Sequence, residues 1–192
     1  MINYPNGKAP IKIEEKKKSS SFNTANRGMN LEKDINLSNE YYKNKDIALI
    51  SKRPTPINVV KVDYARGARI IDAYFEKQST TDYNGVYKGR YIDFEAKSTL
   101  NKTSFPLSNI YLHQINHLEN VLRAGGIAFF IIEFVVHKEI FLVEAKTIID
   151  FFHNGDRKSI PYSYIKENCY LIEQSFAPRI KYIDIVDKLY FK

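Results

Sequence analysis

The chain has 192 residues, 44% of them hydrophobic, enough for one domain with a substantial core. Its 29 Lys and Arg outnumber 22 Asp and Glu, a net charge of +7 that points to a polyanionic partner. The single cysteine, Cys169, excludes an intrachain disulfide and a thiol-rich zinc site, and the longest apolar run, 127–136, carries Glu133 and is too short to span a bilayer.

No apolar run follows the first charged residues, so the expectation is a cytoplasmic protein with no membrane partner. Residues 1–26 are rich in Lys, Ser, Asn and Pro and too poor in apolar groups to offset the entropy of ordering. They predict a flexible basic N-terminal arm ahead of one domain over 27–192. Lys16, Lys17 and Lys18 in that arm fit either a solvated tail or a phosphate-neutralising segment. Asn30 can cap a helix opening at Leu31, with Glu32 in its first turn, Leu31 and Ile35 on its inner side, and fraying before Asp46.

Two apolar runs, 47–50 and 57–62, read as strands that pair, with Pro54 and Pro56 holding the link extended. Residues 51–70 form a second basic block, in which Lys52, Arg53, Lys61, Arg66 and Arg69 face only Asp63. Over 63–77, Gly67 breaks the pattern before Ile70, Ile71, Tyr74 and Phe75 restore it, and the segment is expected to project from the core. Asn84-Gly85 signals a hairpin turn and Lys88-Gly89 a second flexible point. Alternation then sets Ile92, Phe94 and Ala96 on one strand face and Tyr91, Asp93, Glu95 and Lys97 on the other.

After a loop over 98–106, Ser108 can cap a helix carrying Ile110, Ile115, Leu118, Val121 and Leu122, ended by Gly125-Gly126. The run 127–136 reads as a strand buried on both faces, and 139–144 as its returning neighbour, together the centre of a sheet. Short helices are expected over 145–152, 161–168 and 184–190.

The chemistry concentrates in 80–97. Cutting a phosphodiester needs an activated water, relief of charge on phosphorus and protonation of the leaving oxygen, all of which a bound Mg²⁺ can assist. Mg²⁺ takes hard oxygen ligands and only one or two protein carboxylates, the number that Asp82 and Glu95 supply, with Asp93 in reserve. Glu95 and Lys97 stand two residues apart on one strand face, with Cα atoms roughly 7 Å apart, so the ammonium can meet the developing negative charge. The competing reading is a polar turn at Asp82 and an exposed charge pattern at Glu95 and Lys97. His113 and His117 have the helical spacing of a zinc pair, but Gln114 occupies the place of a general-base glutamate and a third ligand is missing. Gln114 is either a neutral oxygen ligand or an ordinary polar helix residue.

These segments resemble the RecU-type Holliday-junction resolvases of Gram-positive bacteria. The resemblance runs through Tyr4-Pro5-Asn6-Gly7-Lys8, Asn26-Arg27-Gly28-Met29, Lys52-Arg53-Pro54-Thr55-Pro56, Ala73-Tyr74-Phe75 and residues 80–97. It continues through Asn101-Lys102-Thr103-Ser104-Phe105-Pro106-Leu107, His113-Gln114-Ile115 and Ala177-Pro178-Arg179-Ile180. It implies an α/β, restriction-endonuclease-like fold: a mixed central sheet flanked by helices, with a projecting stalk at about 63–77. It further implies a homodimer and Mg²⁺-dependent paired nicking of four-way junction DNA in recombination and repair. Metal ligands would then fall on Thr80, Asp82, Glu95 and Gln114, with Lys97 stabilising the transition state. Phe75 would stack on bases and Arg66 and Arg69 meet phosphates, with Arg27 a further DNA contact. The run Ala65-Arg66-Gly67-Ala68-Arg69 departs from the more regular basic pattern expected of such a stalk.

Two other readings stay open on sequence alone. One is a duplex-DNA repair or restriction-type nuclease, separable by competition between junction and duplex. The other is a non-catalytic DNA-binding recombination accessory protein, which would gain no stability from Mg²⁺. The sequence also leaves open whether a recombinase or branch-migration motor binds.

Overall fold

The computed structural model describes residues 24–76, 80–154 and 157–191. In chain order its elements are α1 (Thr24–Asn44), β1 (Leu49–Lys52), β2 (Ile57–Asp63), β3 (Arg69–Phe75), β4 (Tyr83–Tyr87) and β5 (Arg90–Thr99). After β6 (Ser104–Pro106) and a single 3-10 turn come α2 (Leu112–Arg123), β7 (Ile127–Phe134), β8 (Glu139–Glu144) and α3 (Ala145–Asn154). The chain closes with β9 (Ser159–Pro161), α4 (Tyr162–Asn168), β10 (Tyr170–Leu171) and α5 (Tyr182–Tyr190).

Six strands form one mixed sheet in the order β1-β4-β5-β7-β8-β10. β5 and β7 run parallel while their other neighbours are antiparallel. A parallel pair needs a crossover, and the chain supplies it as β6 and α2. The alternation along β5 and β7 feeds two cores. Phe94 and Phe129 face α1 and α5, where they meet Ile35 and Tyr182; Phe130 and Ile132 face α2 and α3, where they meet Ile115 and Ile148. Tyr83, Phe94 and Phe129 stack in sequence across β4, β5 and β7 with centroid separations of 4.9 and 4.8 Å. The mixed central sheet flanked by helices is the architecture expected from the sequence, and the central pair read from 127–136 and 139–144 is β7 and β8. Among the described residues, no helix is long and apolar enough to cross a membrane.

Several local expectations are corrected. The runs at 47–50 and 57–62 do not pair with each other: β1 pairs with β4, and β2 with β3. Gly85 explains the first choice, since a Cβ there would sit 2.1 Å from Leu49 O and 2.6 Å from Ile50 Cα; only glycine admits β1 so closely. Asn84-Gly85 therefore lies inside β4, and the hairpin turns at Lys88-Gly89, whose φ values of 47° and 77° suit a two-residue turn. The projecting element is the whole β2–β3 ribbon, beginning at Ile57 rather than residue 63; β3 is exposed along its full length. Residue 77, the expected end of that segment, lies outside the described residues.

Helix boundaries shift as well. Asn30 lies within α1, which begins at Thr24, so the part of the expected arm over 1–23 is outside the described residues. Ser108 sits in the 3-10 turn Leu107–Asn109, and α2 starts only after Tyr111. Burial of Phe105, Leu107 and Ile110, together with the β6–β9 pairing, holds that segment against the core and delays the helix.

Candidate active site

Antiparallel pairing of β4 with β5 places Tyr83 opposite Phe94, so the next residue outward, Asp82, comes opposite Glu95. The Asp82 N–H donates to Glu95 Oε2 at 3.1 Å, and Ala96 N–H lies 3.5 Å from Asp82 Oδ2. Lys97, on the same face as Glu95, brings its ammonium to 2.7 Å from Glu95 Oε1. α2 crosses this face and turns Gln114 inward, so that its Nε2 donates to Glu95 Oε1 at 2.5 Å while its Oε1 accepts the Tyr111 N–H at 3.0 Å. Asp82, Glu95, Lys97 and Gln114, expected together from the sequence, line one open cavity of about 790 Å³.

Glu95 is 1% exposed, and burial pushes its carboxyl up to about 8, partly opposed by Lys97 and reinforced by Asp82. A buried carboxylate beside a second carboxylate, with one ammonium to offset both, favours an added cation. The donor set is of hard oxygens, as Mg²⁺ prefers. Among the described residues, no group of three or more His, Cys, Asp and Glu side chains forms a metal cluster; a Mg²⁺ site with two carboxylates does not require one.

Thr80 is half-buried, two residues before Asp82, and does not line the cavity among the described residues. Arg66, Arg69 and Phe75 belong to the β2–β3 ribbon and not to the cavity. Arg69 opens β3 opposite Asp63 and Phe75 closes it opposite Ile57, so the two stand about 20 Å apart along the strand. Phe75 is 78% exposed. Arg27 lies in α1. His113 stacks on Tyr111 with ring planes 9° apart, while His117 faces Asp93 with Nε2 2.9 Å from Oδ2; the two histidines do not meet as a metal pair.

Sequence reasoning missed a second cluster just below the cavity. Asp93, the reserve ligand, is fully buried and bonded to Thr81 Oγ1, Arg53 Nη2 at 2.7 Å and Tyr91 OH at 2.7 Å, besides His117. The available signal was Asp93 itself, an acid on the same strand face as Glu95 that needs a cation if buried. Its partner, in the Lys52-Arg53-Pro54 run, looked like one basic residue among many.

The family model described as "RecU: Recombination protein U" matches residues 26–188. The Holliday junction resolvase RecU of Bacillus cytotoxicus is 50% identical over 197 residues, covering 99% of this chain and 98% of that protein. The protein of the same name from Oceanobacillus iheyensis is 48% identical over 198 residues, covering 99% and 100%. Among solved structures, the Holliday junction resolvase Hjc of Archaeoglobus fulgidus is similar over 54% of this chain and 78% of its own, with 10% identity and a TM-score of 0.36.

Proposed function

We propose that this chain, which belongs to the RecU (Recombination protein U) family, is a structure-specific DNA endonuclease that resolves Holliday junctions in recombination and repair, using Mg²⁺ as its divalent metal. The observation that carries this reading is the convergence of Asp82, Glu95 and Lys97 on one open cavity, two carboxylates and a cation held by adjoining strands.

In this reading Asp82 and Glu95 would hold the metal, with Gln114 as a neutral ligand, while Thr80 stands outside the cavity lining. Gln114 turns its Nε2 towards Glu95 and its Oε1 towards the Tyr111 N–H, so ligation through oxygen would require the amide to turn and give up the Tyr111 bond. When bound, the metal supplies a water of lowered pKa and neutralises charge on the phosphate. Lys97 remains close enough to Glu95 to be held in place, and its ammonium faces the cavity where negative charge grows as the phosphodiester is attacked. Tyr111, whose ring centroid lies 5.8 Å from Lys97 Nζ, restricts where that ammonium can go.

Resolution requires two symmetry-related strands to be cut, which a homodimer with two equal sites provides; one site alone would nick. The exposed β2–β3 ribbon, with Arg66 and Arg69 towards one end and Phe75 at the other, suits contact with the junction through phosphates and bases.

The test is a synthetic four-way junction with Mg²⁺ and mapped nicks on all four strands. Paired nicks at symmetric positions are expected. Equal cutting of competing duplex would instead mark a duplex nuclease, and junction binding with neither cleavage nor Mg²⁺-dependent stabilisation would mark an accessory protein.

A further inference from the structure

We propose that Arg53 is a positioning residue for catalysis, a latch that fixes Asp82 against Glu95; this rests on the functional reading above. Regular β4 begins at Tyr83, so Asp82 stands where the chain leaves the ladder and lacks the strand pairing that holds Glu95. Arg53 stands just past the end of β1 and replaces that pairing twice. Its backbone N–H donates to Asp82 O at 2.8 Å. Its guanidinium Nη1 reaches Thr81 Oγ1 at 3.2 Å, grasping the preceding residue by its side chain.

The guanidinium is itself held. Asp93 is fully buried and pairs with Arg53 Nη2 at 2.7 Å, while Tyr91 OH meets the same nitrogen at 2.7 Å. The planar fork suits this geometry, since Nη1 serves Thr81 while Nη2 serves Asp93. Asp93 lies two residues before Glu95 on one face of β5, so Asp82 and Glu95 are referred to the same strand. His117 completes the frame: it is one turn beyond Gln114 on α2 and contacts both Asp93, at 2.9 Å, and Arg53, at 3.4 Å. Arg53 is thereby tied to the Thr81-Asp82 segment, to β5 and to α2, which bring Asp82, Glu95 and Gln114 to the cavity.

Arg53 is 19% exposed at its side chain and turned towards Asp93, and it does not line the cavity among the described residues. Its removal should therefore affect metal binding and the chemical step more than DNA affinity. Arg53→Ala would leave Asp93 hydrogen-bonded to Thr81, Tyr91 and His117 but without its guanidinium, so a lower melting temperature is expected for that variant.

The experiment measures three quantities on the full chain: the Mg²⁺ midpoint for thermal stabilisation without DNA, metal-free junction affinity, and the single-turnover cleavage rate at saturating Mg²⁺. For Arg53→Ala the midpoint is expected to rise and the rate to fall, each by about tenfold or more, because small misplacements of reacting groups carry such costs. Junction affinity should stay within about twofold, the pattern of a lost transition-state interaction. Arg53→Lys, which keeps a cation opposite Asp93 without the fork, should fall between. A lowered melting temperature with unchanged Mg²⁺ midpoint and unchanged cleavage well below that temperature would mean a merely structural role and overturn the proposal. If Arg53→Ala does not fold, Thr81→Val and Arg53→Lys carry the same measurements, and unchanged midpoints in both overturn it. A wild type that neither gains stability from Mg²⁺ nor cleaves overturns the functional reading itself.

Discussion

The Lys97 ammonium lies 2.7 Å from Glu95 Oε1, so the cation nearest the cavity is held by the carboxylate expected to bind metal. Removing Lys97, or the Asp82 carboxylate beside Glu95, should separate binding from chemistry. Asp82→Ala and Lys97→Ala are expected to bind four-way junctions yet lose cleavage with Mg²⁺, by about 10²-fold or more for Lys97, the usual cost of one charge-stabilising group. Gel-shift and cleavage assays on the same preparations check it. Undiminished cleavage by either variant would remove these residues from the mechanism.

Burial holds the Glu95 carboxyl up at about 8, against an ordinary value of 4.5. A folded state that keeps a proton the unfolded chain has released is favoured at low pH. The Glu95 contribution to metal-free stability should thus be fully present below about 4.5 and be lost as pH rises through about 8. Glu95→Gln, which stays neutral, should remove that part of the slope and also abolish stabilisation by Mg²⁺. Urea denaturation in EDTA across pH 5–9, with and without the substitution, measures both effects. Identical slopes for the two proteins would contradict the burial argument.

The contrast between Glu95 and Asp93 shows how far the sequence could be read. Alternation put both acids and Lys97 on one face, and the sheet bears this out, because period-two geometry follows from the backbone alone. Alternation could not say which acid opens to a cavity and which is sealed, since that depends on Arg53 and His117 arriving from β1 and α2. The same limit explains the strand pairings. The apolar runs of β1 and β2 were legible as strands, but the pairing of β1 with β4 depends on Gly85, a residue whose use as a close-approach site looks identical in sequence to its use in a turn. Residue type alone left Gln114 between a neutral oxygen ligand and a polar helix residue, family resemblance favoured the ligand, and its inward aim depends on where α2 begins, after the 3-10 turn that burial of Leu107 and Ile110 imposes.

Gly85 gives a direct test of the β1–β4 contact. Gly85→Ala would drive a methyl into backbone atoms of Leu49 and Ile50, which cannot move aside as a side-chain tip can. A loss of about 3 kcal/mol or more is expected in urea unfolding, at the upper end for overpacking. Val86→Ala, at a 46% exposed position in the same strand, should cost far less. Because β1 leads into Arg53, the Gly85 variant should also cleave more slowly below its melting temperature. Equal stability of Gly85→Ala and wild type would mean that β1 does not lie against β4 as described.

The β2–β3 ribbon separates two kinds of DNA contact. Arg66 and Arg69 are exposed and carry charge, so each substitution to alanine should weaken junction binding and reduce the slope of log affinity against log salt by about one. Phe75 carries none and is 78% exposed, so an ordinary place in this chain's core does not account for it. Phe75→Ala should lower junction affinity by about 1–3 kcal/mol, the usual worth of one base stacked on an aromatic ring, with the salt slope unchanged. Fluorescence anisotropy with a labelled junction over a salt series resolves slope from intercept. Sedimentation of the same variant without DNA guards the interpretation: if Phe75→Ala instead dissociates a dimer and leaves the affinity of the remaining dimer intact, the ring serves a partner subunit rather than a base.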